Sequence, residues 1–446
     1  MIARTLGEAA RLDSVPIVLI ERDCRLPIVD LIIDLHTGHY LDPIGAEGEA
    51  RLLARLLKAG PRGMSERAFS DRLESLGARF SFTVGRRVTR LFFSVLSKNA
   101  PALIRLVARL LRDPGFRRSD FVRHQRSLIA SAETIVDNDS ALATRAFYGL
   151  YYSNHPLGRP RGGSVETLGS IELESLKARH RAAFGSQTLV FGLAGDLQGD
   201  ALLRELERAF ADLPKNEAVT YLLGERRSGS GDHIAIVNRP DRKKVYTLVG
   251  SRGLRIGDDP GLEIQIANHA FGGMFSSKLM QEIRAKRGYA YGVTSVVAQD
   301  IVREAMTITT SPGEDVAAAC AALLGKLQAQ FAERGVSGRA LSAAKKSLLR
   351  GHAFEIETAD RRLIPRLDVE SLGLPGEVHD RYLELVRDAK LRAVNQNVRE
   401  KLSGGDRLFV FVGNAETLMG PLEKALSPDS ITILQHDSIE ADLARV

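Results

Sequence analysis

GGMFSSKLMQEIRAKRGYAYGVTS, residues 272–295, fixes three elements and their order. Gly272 and Gly273 close the helical pattern LEIQIANHAFGG (262–273), because adjacent glycines carry a high backbone entropy that helices rarely absorb. SSKLMQEIRAKRG (276–288) has helix composition and stops at Gly288, a natural left-handed cap. YAYGVTSVVA (289–298) and REAMTITTS (303–311) then read as two strands. The order is helix, helix, strand, strand.

The same order occurs earlier in the chain. EARLLARLLKAG (49–60) and SERAFSDRLESLG (65–77) have helical patterns, and ARFSFTVG (78–85) with VTRLFFSVLS (88–97) reads as a hairpin whose Phe80, Phe82 and Val84 alternate with polar neighbours. The amphipathic helix PALIRLVARLL (101–111) corresponds to VAAACAALLGKLQAQF (316–331). GFRRSDFVRHQRSLIAS (115–131) registers without a gap on GVSGRALSAAKKSLLRG (335–351), matching Ser127 and Leu128 to Ser347 and Leu348. FGLAGDL (191–197) matches FVFVGNA (409–415) as a final strand closing each sheet. Such duplication predicts an α+β protein of two homologous domains, residues 1–213 and 233–446. Each is expected to be an antiparallel sheet with helices packed on one face, and the polar, glycine-rich stretch 214–232 is expected to link them.

Composition narrows the class. With 446 residues, 44% hydrophobic and 26% charged, the chain has the make-up of an ordinary soluble globular protein and holds no apolar run of membrane-spanning length. Its start, MIARTLGEAARLDSV, places two arginines and two acids where a signal peptide is apolar. The expected location is cytoplasmic as written, or periplasmic if a signal has been removed, with no membrane insertion. The 62 basic against 55 acidic residues are interleaved along helices, so no nucleic-acid partner is expected. Cys24 and Cys320 share no ligand spacing and read as buried small apolar residues.

The stretch 272–295 resembles the pattern found in the C-terminal halves of mitochondrial processing peptidase and its bacterial relatives, within the pitrilysin/insulinase superfamily of zinc metallopeptidases. HPLGRP (155–160) and FGLAGDL are two further landmarks, and the resemblance covers nearly the whole chain. In active relatives a helix of the first half carries HxxEH, two histidines on one helix face that bind zinc and a glutamate that serves as general base. Here Arg51 and Arg55 stand at the histidine positions and Ala54 at the glutamate. The third, acidic ligand position falls on Ser131; Glu133 is about 200° further around the helix. His36 and His39 have HxxH spacing but sit at a strand end, where residues three apart face opposite ways.

The resemblance therefore implies a non-catalytic subunit with no metal of its own. Its partner would be a homologous subunit that carries HxxEH and the zinc, and the two would enclose a peptide or unfolded-protein substrate for peptide bond hydrolysis. It also implies a role for Arg284 and Tyr291, seven residues apart: a guanidinium fork and a phenolic hydroxyl suited to a peptide carbonyl and the oxyanion formed from it. Gly272, Gly273 and Arg287 are implied as substrate-binding neighbours. The competing reading gives Arg284 a surface ion pair and packs Tyr291 into the sheet. At the level of function it makes the chain a catalytically inactive structural or peptide-binding homologue, similar to the respiratory-complex core subunits of this fold.

Overall fold

The computed structural model describes residues 9–10, 17–217, 219–221, 223–224, 229–257, 260–374 and 376–445. The chain is α+β and forms two compact units, each built on a six-stranded sheet.

In the first unit the strands are β1 (Ala9–Ala10), β2 (Val18–Arg22), β3 (Ile28–Leu35), β4 (Arg79–Val84), β5 (Thr89–Leu96) and β6 (Leu189–Gly195), in the spatial order β1-β2-β6-β3-β5-β4. In the second they are β7 (Gly231–Asn238), β8 (Tyr246–Arg252), β9 (Val293–Val297), β10 (Ala305–Thr310), β11 (Asp406–Gly413) and β12 (Ser430–Gln435), in the order β9-β10-β8-β11-β7-β12. Five strands superpose in connectivity, so the duplication read in the sequence is one of topology as well. The sheets are mixed: β2 runs parallel to β6, and β7 parallel to both β11 and β12.

FGLAGDL and FVFVGNA supply inner strands, not closing edges. β6 lies between β2 and β3 with every residue buried, and β11 lies between β7 and β8. A strand buried on both faces reads as an unbroken apolar run, which reveals burial but not position in the sheet.

Helices α1 (Glu49–Lys58), α2 (Glu66–Ser75), α3 (Ala100–Arg112) and α4 (Arg118–Glu133) follow the expected segments closely. On α1, Leu52, Leu53, Leu56 and Leu57 recur at helical spacing and join Val29, Leu31, Phe93 and Val107 in one core. Ser65 caps α2 through the Ala68 N–H at 3.1 Å.

The units differ from sequential halves in one respect. Residues 134–159, carrying α5 (Asp139–Tyr151), belong to the second unit, and residues 353–380, carrying a whole helix, belong to the first. Among the second unit's own helices are α6 (Gly261–Asn268), α7 (Ala317–Arg334) and most of α8 (Gly338–Glu355); the exchanged helix is α9 (Ala359–Leu372). Leu363 and Leu367 of α9 pack on Leu19, Ile32 and Val190, the face of the first sheet opposite α1. Burial of each such leucine stabilises by about 1.5–3 kcal/mol. Gly192 on β6 makes this possible, since a Cβ there would lie 2.9 Å from both Leu363 and Leu367. Gly250 on β8 does the same for α5, because a Cβ would lie 2.0 Å from the Phe147 ring. Both faces of the first sheet are thus helix-covered.

A buried ionic knot ties α9 down. Arg90 on β5 bonds Asp34 on β3 at 2.6 and 2.7 Å and Asp368 on α9 at 2.8 Å. Burial pushes the Asp368 carboxyl up, and Arg90 opposes the shift.

Part of the expected linker, residues 218, 222 and 225–228, lies outside the described residues. Before them the chain is anchored to the first unit: Asn216 accepts from the Gln187 N–H and donates to the Ala182 carbonyl, both at 2.9 Å. Cys320 is buried as expected, but Cys24 is exposed, because it sits in the turn between β2 and β3.

Candidate functional site

In the first unit, the N-terminus of α1 is fixed by buried charge. Asp42 accepts from the backbone N–H groups of Gly48 at 2.9 Å and Ala50 at 3.0 Å, and Arg179 bridges Asp42 and Glu49 at 2.8 and 2.9 Å. The helix so held presents Arg51 to solvent, Arg55 half-buried and Ala54 fully buried. Arg55 Nη1 donates to Ser127 Oγ on α4 at 3.1 Å, and Ser131 Oγ donates to the Ser127 carbonyl at 2.9 Å. Burial first, and then the like charge of Arg55, lower the pKa of the Arg51 guanidinium.

These residues do not fit zinc. A ligand must offer a lone pair from imidazole, thiolate or carboxylate, and two guanidinium groups, a methyl and a hydroxyl offer no such set. Among the described residues no cluster of three or more His, Cys, Asp or Glu is placed to hold a metal ion.

In the second unit, the stretch 272–295 lies across a helix–turn–helix and the strand that follows it. After α6 the backbone widens into a π-helical turn, His269–Gly273, and a second π-helical turn spans Met280–Ala285. Such turns are rare and concentrate at functional sites. Gly272 is buried, and a Cβ on it would lie 2.2 Å from Ser295 Oγ. Beside it Asn268 and Ser295 clasp the helix to β9, with Ser295 Oγ donating to Asn268 at 2.6 Å and Asn268 donating to the Ser295 carbonyl at 3.0 Å. Gly272 is therefore required by packing, whereas Gly273 is exposed.

Arg284 and Tyr291 are brought together. Gly288 adopts φ +64° and ends the helix as expected, with its N–H bonded to the Arg284 carbonyl at 3.0 Å. Tyr291 lies in the irregular link before β9, not within the strand, because Gly288 and Gly292 bracket Tyr289–Tyr291 and the ladder begins at Val293. The Arg284 guanidinium stands over the Tyr291 ring at 4.5 Å and over the Phe275 ring at 4.9 Å. Tyr291 is 84% exposed and Phe275 76%. Among the described residues Arg284 makes no ion pair, and the Tyr291 hydroxyl has no hydrogen-bond partner. The surface ion pair and the sheet-packed tyrosine of the competing reading are both absent there.

Arg287 is committed elsewhere. Its Nη1 donates to Glu282 Oε2 at 2.7 Å and to the Glu282 carbonyl at 3.0 Å, while Lys286 and Lys278 reach the same carboxylate at 2.7 and 3.0 Å. Lys286 and then Arg287 hold the Glu282 carboxyl down to about 2. Glu282 thereby braces the helix that presents Arg284.

Phe275 and Glu282 escaped the sequence reading. Phe275 follows a Gly-Gly-Met run, where an aromatic residue is more simply read as core. Glu282 sits four residues from both Lys278 and Lys286, a spacing that signals the brace. Nearby, His269 Nε2 lies 3.1 Å from Ser347 Oγ, at the edge of a cavity of about 200 Å³ lined by Leu262, Ile266, Gly273, Leu348 and Tyr382. Ser347 is the repeat equivalent of Ser127, so in each unit this serine on the later helix meets a side chain of the first.

Residues 17–164 match the family description Insulinase (Peptidase family M16), and residues 170–348 match Peptidase M16 inactive domain. The chain belongs to the M16 peptidase family. Within it, the match to the inactive-domain description and the relative named next mark the chain as an inactive homologue. The Non-peptidase homolog YmxG of Helicobacter pylori is 24% identical over 404 residues, 89% of this chain and 91% of that protein. The crystal structure of a peptidase M16 inactive domain from Pseudomonas fluorescens matches with a TM-score of 0.84 at 22% identity, over 92% of this chain and 98% of that one. A chain of Complex III2 from Candida albicans matches with a TM-score of 0.76 at 12% identity, over 94% and 99%. At these identities the structural matches speak for the fold.

Proposed function

We propose that this chain is the non-catalytic subunit of a heterodimeric zinc metallopeptidase, lending Arg284 and Tyr291 to an active site whose zinc and general base sit on a homologous HxxEH subunit. The observation that carries the reading is that a half-buried Arg284 and an exposed Tyr291 stand in mutual contact, with no ion pair on Arg284 and no hydrogen bond on the Tyr291 hydroxyl among the described residues. The cation–π contact accounts for about 0.5–1 kcal/mol at an exposed site and leaves the donors themselves unused, whereas a developing oxyanion needs donors of this kind. Phe275, Gly273 and the π-helical turns would then shape the surface that meets the peptide chain.

Two outcomes are expected from the isolated chain and its mixture. Alone it should bind no stoichiometric zinc and cleave no peptide; metal analysis finding one tightly held zinc per chain would contradict the site assignment. Mixed with an HxxEH homologue from the same genome, it should form a one-to-one complex in which peptidase activity appears. If the two proteins elute separately and activity does not rise, the structural or peptide-binding reading replaces this one.

A further inference from the structure

The first unit raises a separate question, since a vacated metal position need not become two like charges. Arg51 and Arg55 are one helical turn apart on the same face of α1. Other arginines of this unit found carboxylates: Arg90 with Asp34, Arg179 with Asp42 and Glu49, Arg362 with Glu21 and Asp23. Among the described residues neither Arg51 nor Arg55 has a carboxylate within ion-pair distance. Ser127 faces them from α4 at 3.1 Å from Arg55, with its hydroxyl hydrogen left to donate. On another side the loop 160–163 comes so close that a Cβ on Gly162 would lie 2.9 Å from Arg51 Nη1. The result is an exposed and a half-buried guanidinium on one helix face, with an exposed serine hydroxyl and the loop 160–163 beside them.

We propose that the abandoned metal position has become an oxyanion-binding site, in which Arg51, Arg55 and the Ser127 hydroxyl take up the oxygens of a carboxylate or a phosphate. Guanidinium forks match both groups in geometry, and each pairs best with an anion bearing two or more oxygens. Burial and then the like charge of Arg55 lower the proton affinity of Arg51, and an anion beside the pair opposes the second of these causes. A charge-inverted descendant of a zinc site would thus hold the negative end of a peptide, or free phosphate, where relatives hold a cation. The proposal concerns this chain alone and does not rest on the heterodimer reading.

The test is thermal unfolding of the full chain at constant ionic strength, with sodium chloride as the baseline. The probes are inorganic phosphate, N-acetyl-trialanine with a free terminal carboxylate, and the same peptide as its amide. Phosphate, the free acid or both should raise the melting temperature saturably, because a ligand that binds only the folded state stabilises it. A response to phosphate alone assigns the site to free phosphate, and a response to the free acid assigns it to peptide termini. Arg51→Gln and Arg55→Gln should each weaken the apparent affinity about tenfold or more. In chloride alone both variants should melt no lower than wild type, since one of two repelling charges is gone. No rise above chloride, an equal rise with the amide, an undiminished response in both variants, or a lower melting point of the variants in chloride would each overturn the proposal.

Discussion

In an assembled, zinc-loaded complex, Tyr291→Phe is expected to lower kcat by about 10²–10³, or roughly 3–4 kcal/mol of transition-state stabilisation. The substitution keeps the ring that Arg284 covers at 4.5 Å and deletes the hydroxyl, so packing and the cation–π contact survive. Substrate binding should change much less, because the lost bond strengthens only as the carbonyl becomes an oxyanion. Arg284→Ala should act in the same direction and combine non-additively with Tyr291→Phe, since the two donors would serve one oxygen or one peptide unit. Steady-state kinetics on complexes of verified stoichiometry and zinc content decide it. Full activity in such a Tyr291→Phe complex would make the pair structural.

Arg90→Leu is expected to destabilise the first unit by about 3–5 kcal/mol. Arg90 is 8% exposed and Asp34 fully buried, so removing the guanidinium strands a carboxylate with no water to replace it. Asp368 on α9 also loses its partner, and the contact of α9 with the sheet should loosen. A second substitution, Asp34→Leu, should recover much of the loss by removing the stranded charge. Denaturant unfolding of the single and double variants measures both effects; an Arg90→Leu protein as stable as wild type would show the knot to be dispensable.

Much of this was legible from residues alone. The helices from Glu49 to Glu133 and the paired strands followed local periodicity, and the family was legible in residues 272–295 and the landmark motifs. The contact between Arg284 and Tyr291 was legible because Gly288 sets how the chain reverses between them. Other features could not be read. One π-helical turn differs from an α-helical one by a single residue of spacing, too little to disturb the pattern of MQEIRA. The helices α5 and α9 went unread, because their apolar residues are not gathered on one sharp face, and no local pattern says which sheet a helix will cover. Cys24 and Phe275 show the opposite limit, since both are apolar by type and exposed by position.

The exchange of helices also bears on how the protein comes into being. Every strand of the first sheet has been synthesised by Gly195, yet the helix that covers its Leu19, Ile32 and Val190 face begins only at Ala359. At typical rates of translation the intervening stretch takes on the order of ten seconds or more to emerge. Throughout that time the nascent chain displays a bare apolar sheet on the ribosome, the kind of surface that chaperones hold and that aggregates when they do not. Folding of the N-terminal half is thus finished by the C-terminal half, and a ribosome that stalls between them releases a protein with an open side.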